Sequence, residues 1–121
     1  MQDSILTSIK KLLGIEEDYT HFDRDVIIHI NTAFATLHDL GVGPEDSFDI
    51  VDDKAVWNDF TNGDKKLNPV KSYVYMKVKL IFDPPLSSSV MEAMKQAIAE
   101  TEWRLCDRST KATEEEIQNG E

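Results

Sequence analysis

The chain has 121 residues, which is the length of one domain, and its hydrophobic content of 40% is enough for one core. Its 13 basic and 23 acidic side chains give a net charge of −10, which argues against broad binding to a nucleic-acid backbone or an anionic membrane, because both need Lys and Arg. The one cysteine, Cys106, cannot form an internal disulfide, and no segment has the pattern of a membrane span or a signal peptide. We therefore expect a soluble, single-domain protein made inside the cell.

Charge is distributed unevenly along the chain. Residues 1–60 carry four basic and 13 acidic side chains, a net charge of −9, whereas residues 61–121 carry nine basic and ten acidic ones, a net charge of −1. Five lysines fall between residues 65 and 79, and the last eight residues hold four Glu and no base. Two interpretations stay open: a solvated surface, or opposite patches through which copies of the chain bind head to tail.

Apolar residues at helical spacing predict two helices in the first 40 residues. The first covers residues 3–13, with Asp3 as a candidate cap. The second covers residues 22–40, where Thr20 and Asp23 have the spacing of a capping box with Asp in place of the usual Glu. Both segments end at a glycine, as helices often do.

Residues 42–68, between the second and third predicted helices, have the pattern of an ordered, largely irregular segment with two turns, which we call the excursion. Residues 48–50 alternate in polarity and are compatible with a short strand, and residues 54–60 with one or two helical turns. Trp57 and Phe60 are too apolar to be left in water, so we expect them to anchor the excursion to the core.

Residues 69–82 allow either a strand or a helix. A period of two would place Lys77 on the polar side of a strand, whereas a helix would place it inside a wide apolar arc. We favour the helix, because Asn68 and Pro69 suit a cap and a first helical position and because 14 residues are long for a strand. Lys77 then needs a route to solvent or a carboxylate partner. The wide arc would suit packing on a neighbouring copy as well as on the core.

A fourth helix is predicted over residues 90–107, after a Pro-Pro break and three serines that can cap it. Trp103 projects away from its apolar stripe, so either another element or another subunit must cover it. We predict a mainly α fold, a small bundle of four helices with a short irregular or β-containing excursion between helices 2 and 3. Residues 1–108 form the domain, and residues 109–121 form an acidic, flexible tail.

The chain shows no pattern that predicts catalysis. It lacks a phosphate-binding loop, a dinucleotide fingerprint and a nucleophile elbow. Its three histidines lack metal-site spacing, its acidic runs lack calcium-loop spacing, and Cys106 suits a structural thiol. We therefore expect no enzyme activity, no metal and no cofactor.

The run from Val70 to Pro85, followed by serines and a helix carrying Glu102-Trp103-Arg104-Leu105, resembles the head–tail connector proteins of long-tailed bacteriophages. These are also called adaptor or head-completion proteins, and the resemblance covers residues 4–106. It implies a helical, non-catalytic subunit of a ring, commonly twelve-fold, that can be monomeric alone. The ring docks under the portal protein, binds a stopper or tail-completion protein below, and extends the channel through which DNA passes without specific binding. The resemblance places the protein at the head–tail junction of the virion, after synthesis in the host cytoplasm.

The basic third helix and the acidic front supply the candidate contact residues. Contacts to a neighbouring subunit or the portal are predicted for Lys71, Tyr75, Lys77, Lys79 and Trp103. Their acidic counterparts are predicted in residues 16–25 or 46–59, with the candidates Glu16, Glu17, Asp18, Asp46, Asp52 and Asp53. Charge reversal at Lys77 and Lys79 should then abolish assembly and leave the helical circular dichroism unchanged.

Three other interpretations stay open. The chain could be a small acidic helical binding module, regulatory or host-directed, that occupies a basic partner surface, or an accessory subunit of an enzyme. A regulator should bind one or two partners stoichiometrically, whereas a connector should form a ring with its portal. A stopper protein, which would be a β-rich barrel, fits poorly because the predicted strand content is small.

Overall fold

A computed structural model describes the backbone of residues 4–119 and the side chains of residues 4–107. Over these residues the chain forms five α-helices and one 3₁₀-helix. In chain order they are α1 (Ile5–Leu13), α2 (Asp23–Asp39), α3 (Trp57–Thr61), the 3₁₀-helix (Lys65–Leu67), α4 (Val70–Phe82) and α5 (Ser88–Asn119). The described residues contain no strand, and Ser4 and Val56 form an isolated antiparallel bridge. The predicted mainly α fold is confirmed, with the four longer helices as the bundle.

Helix α4 is the centre of the bundle. It packs against α1, α2 and α5, and its side chains Val70, Tyr73, Val74 and Val78 are buried. The prediction of a helix instead of a strand is therefore confirmed. Three helices of the same chain cover most of the wide apolar arc, and Ile81 near its end is 57% exposed. The buried part of the arc does not by itself require a neighbouring copy.

Two predicted helix caps are wrong. Asn68 has helical dihedral angles (φ −54°, ψ −35°) and ends the 3₁₀-helix, so the chain already runs in a helical turn when it enters α4. At the start of α2, no side chain caps the helix. The helix begins at Asp23 with Phe22 as its N-cap, so Thr20 lies two residues before the cap and the capping box cannot form. The carboxylate of Asp23 lies 2.8 Å from the ammonium of Lys10. At α1, Ser4 supplies the cap, and the predicted cap Asp3 lies outside the described residues.

The excursion between α2 and α4 is held to the bundle by hydrogen bonds and aromatic packing. The amide of Asn31 bonds both backbone groups of Ile50, donating to its carbonyl (2.9 Å) and accepting from its N–H (2.8 Å). Both backbone polar groups of Ile50 are thus paired with a side chain, and residues 48–50 form no strand. Phe60 is buried against Phe34, with ring centroids 4.8 Å apart. The indole N–H of Trp57 donates to the Ser8 hydroxyl (2.8 Å), so both predicted anchors pack on the bundle.

Helix α5 is longer at both ends than the sequence predicts. It begins at Ser88, where the Ser87 hydroxyl accepts from the N–H of Val90 (3.4 Å), and its backbone stays helical to Asn119. The predicted division at residue 108 therefore falls inside a helix. The flexibility of the tail stays a prediction, and residues 120 and 121 lie outside the described residues. Over the described residues, each helix is too short or too polar to serve as a transmembrane span.

Candidate interaction surfaces

The lysines of α4 make contacts within their own chain. Lys79 forms an ion pair with Asp83 one turn later, with 3.1 Å between Nζ and Oδ2. The Nζ of Lys77 lies 6.0 Å from the ring centroid of Tyr73, at the limit of a cation–π interaction, and its half-buried side chain reaches solvent. This is the route that the sequence required for a lysine inside an apolar arc. The contacts of these two residues with another subunit or the portal stay predictions.

Lys71 lies with three of the predicted acidic residues around one open cleft. Glu16, Glu17 and Asp18 line this cleft with Lys71, beside the exposed side chain of Leu12. The structure thus brings one predicted basic contact and three predicted acidic ones together within a single chain. From the sequence, these opposite charges were expected to pair between two copies of the chain. In the structure they lie close enough to attract each other within one copy.

The other acidic candidates lie in the excursion. Asp46 and Asp53 are exposed, while Asp52 is half-buried and accepts a hydrogen bond from the N–H of Lys54 (2.9 Å). Asp52 thus stabilises a turn, and Asp46 and Asp53 are available to a partner. The structure does not bring these three residues to the cleft of Lys71.

The two predicted aromatic contacts differ in exposure. Tyr75 is half-buried and packs against the core. Trp103 is 67% exposed on α5, on the side away from the buried Ile98 and Leu105. Trp103 is thus open to solvent among the described residues, and its cover by another subunit stays a prediction.

A family model described as "Phage connector protein" matches residues 5–112. That match covers most of the chain. The chain belongs to the phage connector protein family. The match also extends past the limit of the resemblance at residue 106, into the first residues of the acidic tail. No curated protein and no solved structure gives a significant match. Membership implies that this phage connector protein is a component of the virion and assembles with other virion proteins.

Two polar contacts that the sequence did not predict shape the surfaces of this phage connector protein. Lys10, only 3% exposed, lies 2.8 Å from Asp23 and donates to the carbonyl of Glu17 (3.0 Å). It therefore holds the loop that carries Glu16, Glu17 and Asp18. A lysine in the last turn of a helix usually indicates an exposed side chain, so the sequence contained no signal for this burial.

The second contact joins α4 to α5 at Glu102, the residue before Trp103. The phenol of Tyr73, which is fully buried, donates to the Glu102 carboxylate (2.9 Å). Burial, together with the hydrogen bond and the negative charge of Glu102, raises the pKa of Tyr73 well above its ordinary value. A tyrosine within an apolar stripe indicated burial, but its partner is 29 residues away and follows from the packing of the two helices.

The described residues of this connector contain no cluster of three or more His, Cys, Asp or Glu side chains that could hold a metal ion. Cys106 is a half-buried free thiol. The candidate sites that the structure does describe are surfaces: the exposed Trp103 side of α5, the cleft of Lys71, and the exposed acidic residues of the two loops.

Proposed function

We propose that the chain is the subunit of a head–tail connector ring. In this proposal twelve copies assemble under the portal protein, extend the DNA channel, and join the head to a stopper or tail-completion protein. The ring then resides at the head–tail junction of the virion, and its subunits are synthesised in the host cytoplasm. The subunit acts by binding, without catalysis and without a cofactor. The observation that carries the proposal is the match of residues 5–112 to the phage connector family.

One structural feature supports this function. Trp103 is a large apolar side chain left open to solvent, and aromatic residues of this kind frequently anchor protein interfaces. The net charge of −10 is compatible with a channel wall, because like charges keep a DNA polyanion from adhering. This compatibility adds no weight on its own, since acidic surfaces are common in proteins that never meet DNA.

The test is assembly with the portal protein of the same phage. The purified chain, mixed with purified portal rings, should give a complex whose mass by native mass spectrometry corresponds to twelve copies per portal. Electron microscopy of that complex should show an added ring with a continuous central channel. The chain alone and portal rings alone serve as the mass references.

Two outcomes would contradict the proposal. One is a chain that remains monomeric in the presence of the portal and of the tail-completion protein. The other is a one-to-one complex with a basic protein outside the virion, which would favour the small acidic binding module. Retention of DNA by the assembled ring at physiological salt would contradict the channel role while leaving the ring itself intact.

A further inference from the structure

The cleft of Lys71 leaves apolar surface uncovered. Its volume is about 910 Å³, and Leu12 and Ile15 are among the side chains that line it. Leu12 is 48% exposed, although it lies on the helix that packs against α2 and α4. A cleft of this size has room for a large side chain together with part of a neighbouring one.

The charged groups of the cleft lie on different elements. Lys11 is on α1 and Lys71 is on α4. Three carboxylates lie on the loop that follows α1: Glu16, Glu17 and Asp18. Lys10 fixes the position of this loop by donating to the carbonyl of Glu17 (3.0 Å). Because a cation attracts the face of an aromatic ring and a carboxylate accepts from N–H groups, the cleft is suited to an aromatic side chain with N–H donors beside it.

Trp103 and Arg104 on α5 combine an aromatic ring with such donors. Trp103 is 67% exposed, and its indole carries an N–H. Arg104 is also exposed, and its Nη2 donates to the carboxylate of Glu100 one turn earlier. A guanidinium has several N–H groups, so Arg104 keeps donors for a second acceptor. The two side chains together therefore match both the apolar and the acidic parts of the cleft.

The other exposed large apolar side chains of the described residues lack this combination. Six of the eight are aliphatic and have no donor. Tyr19 is aromatic, but it follows Asp18 in the acidic loop, so its entry into the cleft of a second copy would oppose carboxylates to carboxylates. Ring chemistry and charge together select Trp103 as the occupant.

The cleft and Trp103 belong to different sides of the subunit. The described residues that line the cleft come from α1, its flanking residues and α4. Trp103 instead points away from Ile98 and Leu105, the buried side chains through which α5 packs on the bundle. Trp103 does not occupy the cleft of its own chain, so it is available to the cleft of a second copy. Two different patches that meet in this way form a head-to-tail contact, which closes into a ring when the rotation between copies allows.

We propose that the cleft of Lys71 on one copy binds Trp103 and Arg104 of the next copy. The indole ring packs on Leu12 and Ile15 beside the two lysines, and the carboxylates of the loop accept from the indole N–H and the guanidinium. The inference rests on the proposed function, since it names the contact that joins neighbouring subunits of the ring.

The test is a double-mutant cycle on assembly with purified portal rings. Leu12→Asp places a charge in the apolar part of the cleft, Trp103→Ser removes the ring, and Val51→Asp is the matched control at another exposed apolar residue. Native mass spectrometry counts the copies per portal ring over a range of chain concentrations. We expect each of the first two variants to raise the concentration needed for assembly about tenfold or more, and their combination to raise it no further, because both remove the same contact. Val51→Asp should assemble like wild type, and all variants should keep a cooperative thermal transition.

A charge exchange tests the polar part of the contact and leaves every apolar side chain in place. Arg104→Glu and Glu16→Arg/Glu17→Arg should each weaken assembly, because each sets like charges against each other across the contact. A chain that carries all three substitutions should recover most of the lost assembly, since opposite charges then face each other again.

Four outcomes overturn the inference and leave the connector function standing. They are normal assembly by Leu12→Asp, an equal loss in Val51→Asp, no recovery in the charge exchange, and additive effects of Leu12→Asp and Trp103→Ser. Additive effects would show that the two surfaces bind different partners, with the portal protein as the occupant of one of them. If wild type adds no copies to portal rings, the proposed function fails, and the inference fails with it.

Discussion

Tyr73 and Glu102 join α4 to α5 through a hydrogen bond of 2.9 Å between the phenol and a carboxylate oxygen. Tyr73 is fully buried and Glu102 is half-buried, so the bond lies at the edge of the core. It fixes the register of the two helices at a point next to Trp103, the exposed aromatic residue that we assign to an interface. Substitutions at this pair therefore test whether the packing of α4 on α5 supports the surface that carries Trp103.

We expect Tyr73→Phe to lower the free energy of unfolding by about 1–2 kcal/mol, because a hydrogen bond to a charged group is lost while the ring remains buried. Denaturant unfolding of the isolated chain measures the change. Glu102→Gln is the conservative control, since its amide oxygen still accepts from the phenol. Equal stability of Tyr73→Phe and wild type would show that the bond adds nothing.

The same pair gives a prediction for alkaline pH. The pKa of Tyr73 is raised in the folded chain above the ordinary value of 10.0, so the folded state holds this proton when the unfolded state has released it. Its contribution to stability is therefore complete below about pH 10 and decreases as the pH rises further toward the folded pKa. The difference in unfolding free energy between wild type and Tyr73→Phe should shrink above pH 10. A difference that stays constant to pH 11 would contradict the assignment.

Removal of one partner of the Lys10–Asp23 ion pair should lower the free energy of unfolding. Lys10→Met leaves a carboxylate without its cation in a site that is only 27% exposed, so we expect a loss of about 3 kcal/mol. Lys11→Met is the matched control, because Lys11 is exposed in the same helix turn and should change stability by less than about 0.5 kcal/mol. Similar melting temperatures for the two variants would contradict the role of the pair.

Gly43 is a second position where a small change should be costly. Its φ is +96°, and a Cβ there would lie 2.3 Å from the Cζ of Phe60. We expect Gly43→Ala to cost about 3 kcal/mol from strain and overpacking together. Gly63→Ala has a similar φ of +77° with its nearest atom 3.9 Å away, so it should cost about 1 kcal/mol from strain alone. Thermal unfolding of both variants measures the two losses of stability. Equal losses for Gly43→Ala and Gly63→Ala would contradict the predicted clash with Phe60.

The sequence predicted the elements of this fold better than the contacts between them. The helix over residues 69–82 followed from its length and from Pro69, and α5 was predicted from its apolar stripe. Local patterns could not show that Asn31 pairs with Ile50, 19 residues away, or that Ser8 pairs with Trp57, 49 residues away. Such pairs depend on how helices pack, and packing involves the whole chain. For the same reason the burial of Lys10 was not predicted.

The structure also changes how the lysines of α4 should be tested. Lys79→Glu would set a carboxylate against Asp83, and Lys77→Glu would set one above Tyr73, near its partner Glu102. Loss of assembly in that double reversal could then follow from a distorted subunit. The exchange Lys79→Asp/Asp83→Lys keeps opposite charges within the chain and moves the cation. Unchanged assembly of the exchanged variant with portal rings would argue against an intermolecular role for Lys79.

Trp103 gives the clearest test of an interface between copies. The side chain is 67% exposed and lies on the outer side of α5, so Trp103→Ser should leave the melting temperature of the isolated chain unchanged. If the ring covers this side, the variant loses a large buried aromatic contact, and we expect association between copies to weaken at least tenfold. Gln96→Ser, two turns earlier on the same exposed side, is the matched control and should assemble like wild type. Sedimentation and native mass spectrometry with portal rings measure the association. Normal ring formation by Trp103→Ser would remove this residue from the interface, and a lowered melting temperature would place its contacts within the subunit.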